Sequence, residues 1–68
     1  MVQFAVALKE TEWTVFKDGE PVSHGMSRSD AVALAEEMAF KAEDAGEDVE
    51  LLVQDYVGEL KARYSGGS

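Results

Sequence analysis

Residues 27–46 read SRSDAVALAEEMAFKAEDAG, and the fold class turns on this stretch. At 100° per residue, Ala31, Ala35, Met38, Ala42 and Ala45 fall on one stripe, with Leu34 on one flank and Val32 and Ala39 on the other. Glu36, Glu37, Glu43 and Asp44 fall on the opposite half. The spacing predicts a helix over about residues 28–45. Ser27 or Ser29 can cap its first turn, because a serine oxygen accepts from an amide two or three residues on. Asp30 then meets the positive end of the helix, and Gly46 stops it where a left-handed residue is needed. A stripe made mostly of alanine lets the helix axis lie close to whatever sheet it covers.

Phe40 breaks this pattern. It points about 180° from Ala31, into the acidic half and beside Ala33. One reading is a phenylalanine lying flat on the surface, since single exposed apolar residues are common. The other joins Ala33, Glu37 and Phe40 into a surface for self-association or for a partner.

Outward from the helix, both flanks read as strands and turns. Val2, Phe4, Val6 and Leu8 alternate with Gln3, Ala5 and Ala7, so strand one should turn its even positions to the helix. Its other face is light and only weakly polar, and would suit partial cover in an oligomer. Glu12–Lys17 forms a second strand, and Asp18-Gly19 is a hairpin signal whose two residues both take positive φ. A two-residue loop pairs Lys17 with Glu20, Phe16 with Pro21, Val15 with Val22 and Trp13 with His24. Pro21 then turns its missing N–H away from strand two, which makes the third strand, Val22–Met26, a sheet edge. The Trp13–His24 pair is a cross-strand contact worth some tenths of a kcal/mol; its alternative is the wall of a ligand pocket. Beyond the helix, Val49–Gln54 presents Val49, Leu51 and Val53 to the core and Leu52 outward. Asp55–Gly58 is a turn. Glu59–Tyr64 is a last strand with Leu60, Ala62 and Tyr64 on one face, and Ser65–Ser68 a flexible tail.

Three strands, one helix and two strands make a two-layer α+β domain, β-β-β-α-β-β, with a mostly antiparallel sheet over residues 1–64. If strand three is an edge, the crossover brings strand four beside strand one, and the order is 3-2-1-4-5. The last strand could instead pair across a dimer.

Sixty-eight residues make one domain whose core is small, and such domains usually add disulfides, a metal or a second copy. With no cysteine, disulfides and thiolate metal sites fall away, and the lone His24 cannot build a zinc site. A homodimer is the remaining expectation. Fourteen acidic against six basic residues give a net charge of −8, so no broad cationic face exists for nucleic acid. This balance suits solubility or a basic partner protein. No apolar run has the length of a membrane span and the first residues lack a basic leader, so the expected location is cytoplasmic.

Catalytic motifs are missing: no serine sits in a nucleophile-elbow context and no glycine-rich loop precedes a helix. The acids Glu43, Asp44, Glu47, Asp48 and Glu50 crowd the helix end without the ligand alternation of a calcium loop, and read as a solvated rim. Lys61 and Arg63, with Tyr64, make the only small cationic patch, read as a solvated strand face. No cofactor, metal or catalytic residue is expected.

The stretches EWTVFKDGEPV, SRSDAVALAEEMA and VELLVQDYVGEL resemble, across residues 12–58, a family of short bacterial proteins known only as domain of unknown function 2188. That family has an adjacent Asp-Gly in its last turn, whereas here Tyr56-Val57 separates Asp55 from Gly58. The resemblance implies a similar fold and no activity. The opening strands and alanine-rich helix also resemble HicB-type antitoxins, without their Pro-Gly-Cys turn. That resemblance implies an acidic surface that blocks a basic ribonuclease.

The expectation is therefore a small acidic, non-catalytic interaction or dimerisation domain. Its interface would use Ala33, Glu37 and Phe40, with Val22 and His24 on the exposed edge. An acidic inhibitor of a basic, nucleic-acid-processing protein is the alternative.

Overall fold

The structure is a computed structural model describing residues 1–54 and 58–66, with 63–66 described by backbone alone. The elements are β1 (Val2–Lys9), β2 (Glu12–Lys17), β3 (Glu20–Met26), α1 (Arg28–Asp44), β4 (Val49–Gln54) and β5 (Leu60–Gly66). They form a five-stranded mixed sheet in the order β3-β2-β1-β4-β5. The order expected from Pro21 and the crossover is the observed one. β1 and β4 run parallel, and the other neighbours are antiparallel. Strand five pairs with β4 of its own chain and runs on to Gly66, so Ser65 and Gly66 belong to the sheet and not to a tail. Of the expected turn Asp55–Gly58, residues 55–57 lie outside the described residues, and Gly58 takes the positive φ expected of it, 88°.

Helix α1 begins at an N-cap Ser27 whose hydroxyl accepts from the Asp30 amide at 3.2 Å. It packs on one sheet face above β1, β2 and β4 and reaches β3. Ala31, Val32, Ala35 and Ala39 are the buried helical residues, against Phe4, Val6, Val15, Val49 and Leu51. The line of contact is thus rotated by about 50° from the expected stripe, toward Val32 and Ala39. Leu34, Met38 and Ala42 are only partly buried, and Ala45 is exposed. The rotation puts small side chains where the helix lies nearest the sheet and moves the long Leu34 and Met38 to the flank. Leu8, expected inside, is 46% exposed. It lies beyond Val6–Val53, the last β1–β4 pair, where the Gln54 side chain takes its amide at 2.6 Å but the paired β4 backbone no longer runs alongside.

The β2–β3 hairpin departs from its expected register. Lys17–Glu20 and Phe16–Pro21 pair as foreseen, but Val15 pairs with Ser23 and Trp13 with Met26. Two extra residues in β3 cause the shift, one on each side of Ser23. Gly25, at φ +75°, takes a backbone angle that other residues rarely adopt at the second irregularity. A two-residue loop dictates register only near the turn, and each bulge resets it.

Asp18 holds the turn to the sheet. It takes φ 52° and Gly19 φ 86°, as the hairpin signal requires. Its amide donates to the Gln3 carbonyl at 2.7 Å, and its carboxylate accepts from the Gln3 amide at 2.9 Å. Asp18→Ala should cost about 1–2 kcal/mol in a urea titration. Asp18→Asn, which keeps an acceptor and tolerates positive φ, should cost less. Equal losses would mean that the Gln3 contact contributes nothing.

Candidate functional site

Three surfaces come into question. The outer helix face carries Ala33, Glu37 and Phe40, all exposed. After the rotation of α1, its outer pole is Glu37, which meets Lys41 one turn on at 3.3 Å. Phe40 is 49% exposed, displaced toward the flank that holds the partly buried Glu36 and Glu43. Acids therefore surround the phenylalanine. An exposed i,i+4 pair such as Glu37–Lys41 contributes only about 0.3–0.5 kcal/mol.

The second surface is the β3 edge. Val22 is 47% exposed and is one of the residues added by the bulges. His24 does not meet Trp13. The register shift puts His24 on the sheet face away from the helix, where its Nδ1 lies 3.4 Å from Glu12 Oε2. Trp13 stays on the helix side, packed against the core with Arg28 stacked 5.8 Å from its ring centre. The pair weighed as a pocket wall is thus split between opposite faces, for the physical reason that one bulge separates them. Val22 and His24 are likewise not brought together with Ala33, Glu37 and Phe40.

His24 instead lines a shallow cavity of about 290 Å³ with Lys9, Glu10, Glu12, Thr14 and Pro21. Thr14 is 2% exposed, the one buried polar side chain among the described residues. The ionisable lining groups are one cation, Lys9, two acids, Glu10 and Glu12, and His24. Among the described residues, no three His, Asp or Glu side chains gather in a way that would hold a metal ion.

The third surface is the open face of the sheet, opposite α1. Pro21 pairs with Phe16, Phe16 with Ala5, Ala5 with Leu52, and Leu52 with Ala62. These five residues make one apolar row across all five strands. In the next row Ala7 pairs with Thr14, and Leu60, 51% exposed, pairs with Gln54. On the other side, Gln3 Nε2 donates to Glu50 Oε1 at 2.9 Å. The sequence had pointed to this face only in fragments: light residues on strand one, an outward Leu52, and Phe16 opposite Pro21. Joining them needed the strand order and the register together.

No family model, curated protein sequence or solved structure matches this chain. The two family resemblances stand on the residues quoted for them. No helix among the described residues is long and apolar enough to cross a membrane.

Arg28 over Trp13 ties the start of α1 to β2. Arg28→Ala should cost about 0.5–1 kcal/mol and shift Trp13 fluorescence to longer wavelength as the ring loses its cover. An unchanged emission spectrum would mean that the stacking does not persist in solution.

Proposed function

We propose that this protein is a non-catalytic protein-interaction domain that works as a homodimer, in a cytoplasmic setting. The observation that carries the reading is one-sided cover: a five-stranded sheet has its single helix on one face and an apolar row on the other. A 68-residue chain has little core to spare, and a second copy adds buried apolar surface without disulfide or metal. A non-catalytic role is supported by the solvent exposure of its one histidine and of the Glu12 carboxylate beside it, 73% and 55% exposed.

The alternative is an acidic inhibitor of a basic partner, as in the HicB-type resemblance. It is favoured by the net charge of −8 and by the acids that surround Phe40 on the outer half of α1.

Sedimentation equilibrium tests the first reading. The mass should rise from 7.4 kDa toward twice that value as concentration increases. A constant 7.4 kDa would overturn it. For the alternative, capture of a basic partner should fall steeply as salt is raised. Salt-independent capture would remove it.

A further inference from the structure

Building on the dimer reading, we infer that the second copy docks on the open sheet face, centred on Ala5, with the two sheets packed face to face. The interface pairs the row Pro21, Phe16, Ala5, Leu52 and Ala62 with the same row of the other copy.

Charge selects this face. Two chains of −8 repel, and their contact is favoured where the centre is free of acids; on the open face the acids Glu50 and Glu12 lie off the central row, against Gln3 and His24. The outer helix face has Glu37 at its pole and Glu36 and Glu43 beside Phe40, so pairing it with itself sets acid against acid. The central row of the open face carries no ionisable side chain. A basic partner would gain nothing there.

The sheet edges are poor alternatives. β3 carries Pro21 and two register shifts, and β5 carries one opposite Leu51–Leu52. Bulges and proline on an edge disturb the regular ladder that an added strand needs.

Shape and size point to a sheet as the occupant. Five strands about 4.8 Å apart and about six residues long span roughly 24 by 20 Å. A single helix is about 10–12 Å wide and would leave half of that width open. A weak, concentration-dependent interface of about 1,000 Å² in total takes about 500 Å² from each partner, which a face of this size supplies only when covered edge to edge. Phe16 and Leu52 sit on either side of Ala5, so they stand about 10 Å apart with one methyl group between them. That hollow accepts a large side chain from a facing sheet, and sheets pack at about this distance. A two-fold axis lying between the sheets, beside Ala5 and midway to Leu52, sets Leu52 of each copy in the Ala5 hollow of the other.

The test is sedimentation equilibrium at low and high salt on the wild type, Leu52→Lys and Phe40→Asp, with amide NMR spectra of the wild type across a dilution series. Leu52→Lys should raise the dimer dissociation constant at least about tenfold, as expected for a central interface residue. Phe40→Asp should leave it within about twofold, as expected for a residue outside the contact. Added salt should tighten the dimer, because it screens like charges. Dilution shifts should cluster at Ala5, Phe16, Leu52 and Ala62; these use unaltered protein and hold even if Leu52→Lys fails to fold. Shifts clustered at Ala33, Glu37 and Phe40, or a dimer abolished by Phe40→Asp alone, would overturn the sheet face while leaving dimerisation standing. A wild type that stays monomeric at every concentration would overturn both the sheet-face contact and the dimer.

Discussion

The close approach of the alanine line of α1 to the sheet is the constraint on which the other features depend. Ala31, Ala35 and Ala39 are fully buried against Phe4, Val6, Val15, Val49 and Leu51, the largest fully buried side chains of the core. A helix bearing larger residues there would ride higher and leave voids beside these side chains, which close-packed interiors do not tolerate. Putting the smallest residues at the contact line rotates the helix, and the rotation sets what its outer surface presents. Glu37 becomes the pole, while Phe40 moves down the flank. A sequence-based wheel centred on the apolar average cannot foresee this, because average hydrophobicity and closest approach are different criteria.

One helix also limits what a five-stranded sheet can bury. The helix-side rows hold Phe4, Val6, Val15, Leu51 and Val53, all nearly inaccessible. On the other side Phe16, Ala5, Ala7 and Leu52 are partly exposed with no layer over them. Layered folds reach stability by covering apolar faces, and among the described residues this domain leaves one face uncovered. The charges fit that division. They crowd the outer half of the helix, the turns and the ends of the strands, while the middle of the open face is neutral. Charge and apolar surface are thereby divided between different parts of one small surface.

Much of the fold was legible in the residues themselves. Helical spacing from Ala31 to Ala42, the Asp18-Gly19 turn and Pro21 on strand three were each local signals. Together they led to five strands, one helix and the observed strand order. Such signals work because backbone angles and hydrogen-bonding capacity belong to single residues and short neighbourhoods. Register was legible for only two pairs beyond the hairpin turn. Past Phe16–Pro21, one residue added in β3 outweighs any rule of turn length and moves His24 to the face opposite Trp13, and a second brings Met26 to Trp13.

The candidate surface belongs to the other class of information. Pro21, Phe16, Ala5, Leu52 and Ala62 come from five separate strands, and no spacing along the chain connects them. What the sequence by itself determined was composition and local geometry: an acidic, cysteine-free α+β chain with an alanine-lined helix and a proline-marked edge. Only the tertiary structure decided which face of the sheet the helix covers, how far the helix turns, and which apolar residues line up on the uncovered side. The physical reason is that alternation gives each strand two faces but does not name their neighbours. Those are assigned only when pairing, bulges and helix packing are satisfied at once.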